Sequence, residues 1–263
     1  MTERYAVIGN PVAHSQSPAI HARFAEATGQ EIEYERIEAP LDGFDRRVDE
    51  FRAAGGKGLN VTLPFKQAAF RYCDEFTERA REAQVVNTLV FGERTRGDNS
   101  DGVGLVRDIE GNLATPLAGK TVLLMGAGGA AQGVVGALLG ARVGRLVIAN
   151  RTFAKAEALG ARFNATAARY DDIRDPFDVI INATSAGLGA GPAIFPAAAI
   201  GKGSLAYDMV YGRETPFLQA ARAKGARCCD GLGMLVEQAA ESFFIWRGVR
   251  PPTRSVLAGL RGR

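Results

Sequence analysis

Several residue types are scarce in this 263-residue chain. It has three Cys, two of them adjacent at Cys228 and Cys229, and only two His. So few sulfurs in that arrangement exclude a disulfide framework and offer no metal-ligand spacing, so no metal is expected. No excess of one charge is present either. Lys and Arg total 32 against 29 Asp and Glu, a net charge of +3 spread along the chain. With no basic block and no basic stretch interleaved with aromatics, nucleic acid is not an expected partner. The opening residues, MTERYAVIGNP, carry charge at once and lack an apolar signal-type stretch, which points to a reduced, cytoplasmic protein. One uncharged run, Thr121 to Ala141, is long enough to span a bilayer, but it contains six glycines. It reads as a buried strand, a tight turn and a small-faced helix, so no membrane association is expected. Lysine is scarce as well, supplying six of the 32 basic residues.

Glycine is abundant. The 32 glycines make up roughly 12% of the chain against a usual ~7%, without a repeat and without much proline. That excludes a collagen-like chain and leaves many positions of sharp turning or close backbone approach. The length suits one large or two modest domains. Tyr5–Ile8, Ile32–Ile37 and Gly58–Thr62 read as strands. Helices are expected from Ser17-Pro18 to about Ala27, over Asp42–Ala54 with Gly55-Gly56 as its stop, and from Pro64 onward. Val85–Phe91 and a short partner after Gly92 read as a hairpin, and a helix over Asp101–Gly111 leads out of this region. Past Pro116 the texture changes. Thr121–Met125, Arg145–Ala149, Asp178–Asn182 and Leu205–Met209 are near-continuous apolar runs, as in parallel strands buried on both faces. Helical segments at Gly129–Leu139, Phe153–Phe163 and Thr215–Ala223 go with them, which implies a doubly wound α/β sheet. Another helix, about Leu232–Trp246, and a short amphipathic tail finish the chain.

Gly126-Ala127-Gly128-Gly129-Ala130-Ala131 fits G-x-G-x-x-G/A, directly after a strand and opening a helix. Gly126 would allow the tight turn and Gly128 the approach of a pyrophosphate to the helix N-terminus. Taken alone, the pattern fits a plain strand–turn–helix equally well. About 20 residues on, where chains that bind NAD usually place an acid for the ribose 2′-hydroxyl, stand Asn150 and Arg151, with Lys155 one helical turn later. An acid there would repel a 2′-phosphate, whereas an Arg and a Lys would clamp it. NADP is therefore favoured over NAD, the alternative being a solvated basic helix start.

Three polar clusters fall at strand ends. In Asn10 to Pro18, the hydroxyls of Ser15 and Ser17 precede a helix and can both donate to a carboxylate; ordinary N-capping would need only one. In Asn60-Val61-Thr62-Leu63-Pro64-Phe65-Lys66, alternation points Asn60 and Thr62 the same way and puts Lys66 in a first helical turn. The helix dipole disfavours an ammonium there, which suits an amine that gives and takes a proton. Where only charge matters this chain mostly uses Arg, so Lys66 is a candidate for acid/base work. The third cluster, Gly97-Asp98-Asn99-Ser100-Asp101-Gly102, would by itself be a capped helix start. Asn87 is an amide in an otherwise apolar strand and needs partners.

In order along the chain, Ser15 and Ser17, Asn60–Lys66, Val86–Thr88, Gly97–Gly102, the Gly126 loop, Asn150–Thr152, Asn182–Gly187, Tyr207–Gly212 and Gly231–Gln238 closely resemble the shikimate dehydrogenase family, NADP-dependent oxidoreductases of the shikimate pathway that leads to chorismate and the aromatic amino acids. The resemblance implies two α/β domains. Residues 1–104 and 236–263 would form a substrate domain completed by C-terminal helices, and 105–235 a doubly wound Rossmann-type NADP-binding domain. It implies reversible NADPH-dependent reduction of 3-dehydroshikimate to shikimate, with Lys66 and Asp101 as the catalytic pair. Ser15 and Ser17 would hold the substrate carboxylate with Tyr211, and Thr62, Asn87 and Gln238 its hydroxyls. Gly126, Gly128, Gly129, Ala130, Asn150, Arg151, Thr152, Lys155, Thr184, Ser185, Met209, Gly231 and Met234 would line the cofactor. The partners would be small molecules alone, for a monomer or homodimer.

Two departures are small: Gln84-Val85 stands where the family often has Gly-Ala, and Ser100 where Thr is common. Other readings are a quinate/shikimate dehydrogenase using NAD, an amino-shikimate variant, or a non-catalytic dinucleotide sensor of the same fold. Ser15 and Arg151 argue against the first, and the presence of Lys66 and Asp101 argues against the sensor.

Overall fold

The computed structural model describes residues 2–184 and 194–262. Expectations for Ser185 and Gly187 lie outside the described residues. The chain divides into two units, one made of Met1–Leu105 with Leu235–Arg263 and the other of Val106–Met234.

The first unit is built on a six-stranded mixed sheet of β1 (Glu3–Gly9), β2 (Ile32–Glu38), β3 (Gly56–Val61), β4 (Glu75–Phe76), β5 (Thr88–Phe91) and β6 (Thr95–Asp98), in the order β2-β1-β3-β5-β6-β4. β1 runs parallel to both β2 and β3, while β5 is antiparallel to β3 and β6. Helices α1 (Ser17–Thr28), α2 (Phe44–Ala53), α3 (Lys66–Tyr72) and α4 (Glu78–Ala83) connect them. Helix α4 starts where Thr77 Oγ1 accepts from the Ala80 N–H, a side-chain cap. Ile8, Phe44, Val48, Leu59, Phe65 and Leu89 share one core. Each such side chain contributes about 1.5–3 kcal/mol through burial. Gly56 opens β3 rather than closing the preceding helix, and α3 begins two residues after Pro64. The Val85–Phe91 strand is shorter than its apolar run. Val86 N–H donates to the Lys66 carbonyl and Asn87 N–H to that of Asp98, so the ladder proper starts at Thr88.

Helix α5 (Asp101–Arg107) continues as a turn of π-helix over Asp108–Asn112. The second unit holds β7 (Thr121–Met125), α6 (Gly129–Gly140), β8 (Arg145–Ala149), α7 (Phe153–Phe163), β9 (Thr166–Ala168), β10 (Val179–Asn182), β11 (Leu205–Asp208), α8 (Pro216–Ala223) and β12 (Arg227–Cys229). All strand pairs are parallel and the order is β12-β11-β10-β7-β8-β9. Counted from β7, that is the 3-2-1-4-5-6 order of a dinucleotide-binding sheet. The apolar runs are buried on both faces, as parallel strands require: Leu123, Leu124, Ile148, Ile180 and Ala206 are fully inaccessible. The uncharged stretch after Thr121 is β7, its turn and α6, and among the described residues no helix is long and apolar enough to cross a membrane. Helices α9 (Leu232–Arg247) and α10 (Thr253–Arg261) complete the chain.

Candidate active site

In the first unit, half-buried Lys66 opens α3 and buried Asp101 opens α5, and the two meet as an ion pair with Nζ 2.5 Å from Oδ2. The second carboxylate oxygen, Oδ1, accepts from Asn87 Nδ2 at 2.9 Å. Asn87 is held in one orientation, because its Oδ1 accepts from the Ser100 N–H at 2.8 Å, a group that can only donate. Its Nδ2 therefore faces Asp101, Ser100 Oγ (2.9 Å) and Gln238 Oε1 (3.3 Å). Gln238, from α9, spends its amide nitrogen on the Leu235 carbonyl. The buried amide that the sequence left needing partners thus has them, and they are the other residues of the cluster.

Ser15 and Ser17 are buried, with their hydroxyl oxygens 3.2 Å apart. Gln16, at the helix cap, makes no side-chain cap, and Ser15 Oγ accepts only a long bond from the Ser17 N–H at 3.3 Å. Ser15 Oγ donates to Ser17 Oγ across that gap, and capping of the helix uses neither hydroxyl proton. Arg36 on β2 steadies this turn by gripping the Ser15 carbonyl through Nε (3.0 Å) and Nη2 (2.6 Å). Thr62 is half-buried just past β3, and its hydroxyl makes no hydrogen bond to the described residues.

Asn60 turns inward instead. Its Oδ1 accepts from the Tyr34 hydroxyl at 2.7 Å and its Nδ2 donates to Ser242 Oγ at 2.8 Å. Ser242, fully inaccessible on α9, also lies 2.9 Å from Thr88 Oγ1 and 3.2 Å from Ser100 Oγ. Tyr34 and Ser242 are not legible in the sequence: one sits in an alternating strand and the other in an apolar helix, and neither carries a local signal. Burial raises the Tyr34 phenol well above its ordinary value, with the Ser17 hydroxyl opposing, so Tyr34 stays a donor.

In the second unit, the glycine loop follows β7. Gly126 has φ +113°, and a Cβ there would lie 3.0 Å from the Ala183 carbonyl oxygen. Gly128 stands at the cap of α6, and a Cβ there would meet none of the described residues within 4 Å, so they leave the space in front of it open. Helix α6 has no side-chain cap and no acid in its first turn, leaving the first N–H groups of Gly129, Ala130 and Ala131 to point outward. An open cradle before uncapped N–H groups fits a pyrophosphate. Past β8, Asn150 Nδ2 donates to the Thr152 carbonyl at 2.9 Å and fixes the turn. Arg151, Thr152 and Lys155 are exposed, and among the described residues neither cation forms an ion pair. An unopposed Arg and Lys fit the 2′-phosphate of NADP.

At the ends of β10 and β11, Thr184 Oγ1 donates to Asn182 Oδ1 (2.7 Å), and Asn182 Nδ2 donates to Asp208 Oδ2 (3.1 Å). Burial raises Asp208, opposed by the Thr215 hydroxyl, the Val210 N–H and Asn182. Met209 N–H donates to the Asn182 carbonyl, and a Cβ on Gly231 would lie 2.3 Å from the Met209 carbonyl oxygen, so packing alone requires glycine there. Tyr211 is half-buried and Met234 buried. Among the described residues no three His, Cys, Asp or Glu side chains gather as a metal site would need. Within the first unit the structure thus joins Lys66, Asp101, Asn87 and Gln238, and pairs Ser15 with Ser17. Tyr211, Met209, Gly231 and Met234 belong to the second unit.

Three family models match this chain: the shikimate dehydrogenase substrate binding domain over residues 7–89, shikimate / quinate 5-dehydrogenase over 109–189, and the shikimate 5'-dehydrogenase C-terminal domain over 231–260. The NADP(+) shikimate dehydrogenase of Methylobacillus flagellatus is 56% identical, covering 98% of this chain and 99% of its own, and that of Dechloromonas aromatica is 53% identical, covering 100% and 99%. Among solved structures, the Ael1 enzyme of Pseudomonas putida superposes with a TM-score of 0.92 at 49% identity, covering 98% of both chains. The shikimate 5-dehydrogenase of Thermus thermophilus, solved with NADP(H) and shikimate, gives 0.89 at 36% identity, covering 99% of both. With models matching most of its length and relatives above half identity end to end, the chain belongs to the shikimate dehydrogenase family.

Proposed function

We propose that this chain is an NADP-dependent shikimate dehydrogenase, catalysing the reversible reduction of 3-dehydroshikimate to shikimate. The Lys66–Asp101 pair, its buried carboxylate braced by Asn87, carries the reading. Bound NADP+ supplies the hydride acceptor. Oxidising a secondary alcohol removes a hydride from carbon and a proton from oxygen, and the proton needs an acceptor at the hydroxyl. Lys66 as the free amine takes that proton from the C3 hydroxyl; in the reductive direction its ammonium returns it to the developing alkoxide. Asp101 accepts from the same part of the ring and positions the Lys66 Nζ. The Ser15 and Ser17 hydroxyls donate to the substrate carboxylate with Tyr211, and Thr62, Asn87 and Gln238 bind ring hydroxyls. The glycine loop and α6 take the pyrophosphate and Arg151 with Lys155 the 2′-phosphate, while Asn150, Thr152, Thr184, Ser185, Met209, Gly231 and Met234 line the rest of the cofactor. On this reading residues 1–104 with 236–263 bind substrate and 105–235 bind cofactor, in a cytoplasmic monomer or homodimer.

Steady-state rates for shikimate and quinate, each with NADP+ and NAD+, test the proposal. Shikimate with NADP+ should dominate. A clear preference for quinate with NAD+ would establish the quinate reading instead, and dinucleotide binding without turnover on any pairing would establish a sensor.

A further inference from the structure

We propose that Arg169 is a specificity-determining residue that acts with Arg151 to select a dinucleotide carrying a 2′-phosphate. The inference rests on the NADP reading above. Its first support is register. Strands β8 and β9 pair in parallel with Ala149 beside Ala168, so the next residues, Asn150 and Arg169, leave the sheet side by side. They do so at the carboxyl ends of the strands, where open α/β sheets carry their ligands. The second support is a contact across the two segments. The Arg169 guanidinium carbon lies 4.6 Å from the ring centre of Phe153, the first residue of α7 and two positions after Arg151. An arginine held over an aromatic ring spends no N–H group on a carboxylate and can still donate to an anion, and the contact limits the rotamer freedom lost on binding. The third support is proximity in the opposite sense: burial raises the Tyr170 phenol, and the charge of Arg151 opposes that rise. The two arginines therefore lie near each other's segments.

Bringing like charges together is unfavourable unless an anion offsets them. Among the described residues no carboxylate forms an ion pair with Arg151, Lys155 or Arg169, although Asp171 and Asp172 follow in the next turn. Helix α7 adds uncapped N–H groups and no first-turn acid to the same end. A doubly charged phosphate monoester matches this surplus, and a ribose 2′-hydroxyl does not.

The test is equilibrium binding of NADP+ and of NAD+ by titration calorimetry, which needs no turnover, on the wild type and on Arg169→Ala, Arg169→Lys and Arg151→Ala. Arg169 is exposed, so its replacement should leave the fold intact. Arg169→Ala should weaken NADP+ about tenfold, the scale of one charged hydrogen bond. It should leave NAD+ within about twofold and reduce the salt dependence of NADP+ binding, with Arg169→Lys in between. Equal weakening of both dinucleotides would reassign Arg169 to packing on Phe153 and overturn the inference, as would no change in either. If Arg151→Ala discriminates between the dinucleotides and Arg169→Ala does not, the cofactor reading stands and this inference falls. If the wild type itself shows no preference for NADP+, the cofactor reading fails.

Discussion

Lys66 Nζ and Asp101 Oδ2 stand 2.5 Å apart, while the other oxygen of that carboxylate accepts from the Asn87 amide. Both oxygens of Asp101 are engaged within the protein, so the carboxylate is held rigidly and the Lys66 amine is aimed by it. Replacing the amine should remove proton transfer and leave the hydroxyls that hold substrate in place. Lys66→Ala is expected to lower kcat by about a thousandfold, within the usual range for acid–base catalysis. Shikimate affinity, followed by titration, should change less than about threefold. Turnover surviving near the wild-type rate would remove Lys66 from the chemistry.

Asn87 serves the site and the fold at once. Asn87→Ala would leave Asp101 Oδ1 and the Ser100 N–H without their buried partner. At about 1–3 kcal/mol for each unsatisfied buried group, a loss of about 3 kcal/mol is expected in urea unfolding, with kcat reduced as well. An unchanged unfolding midpoint would mean that water replaces the amide.

Two glycines of the cofactor loop should respond differently. Gly128→Val puts a Cβ where no described atom lies within 4 Å, so the melting temperature should hold within a few degrees while calorimetry shows dinucleotide binding lost. Gly126→Ala forces a side chain to φ +113° against the Ala183 carbonyl and should destabilise the unbound protein by about 1–2 kcal/mol. Intact dinucleotide binding in Gly128→Val would refute the cradle.

His21 provides a pH prediction. It is fully buried against Tyr34, with ring centres 4.1 Å apart, and neither ring nitrogen makes a hydrogen bond of ordinary length among the described residues. Burial, offset only in part by the nearby Asn60, pushes it down to about 3. The unfolded chain takes up this proton near pH 6.5 and the folded chain only near 3. The stability present above pH 6.5 is therefore lost as the pH falls toward 3, at about 1.4 kcal/mol per pH unit, or roughly 2 kcal/mol by pH 5. His21→Phe, which keeps an aromatic ring in place, should flatten the acid side of the stability curve between pH 7 and 5. A curve as steep as that of the wild type would assign the acid sensitivity elsewhere.

The parts legible in the sequence are those whose cause is local. A strand buried on both faces must be apolar throughout, so β7, β8, β10 and β11 show in composition alone. A tight turn that admits a phosphate needs glycine at fixed spacing, so the Gly126–Gly129 loop shows as well, and a lysine at a helix start stands out in a chain with few lysines. The edge strands β4, β9 and β12, two or three residues long, are too short to express a period. They exist because a neighbouring strand offers its ladder. Asn60 and Thr62 share a strand face by alternation, yet only Thr62 keeps its polar group unspent among the described residues, since the Asn60 amide is taken up by Tyr34 and Ser242. Ser242 lies 182 residues from Asn60, and no local pattern records a hydrogen bond across that separation. Sequence by itself thus determined which groups could do chemistry and where the backbone must turn. Tertiary structure decided which of those groups are satisfied inside the protein and which remain for a ligand, because a buried polar group takes whatever partner the fold brings to it.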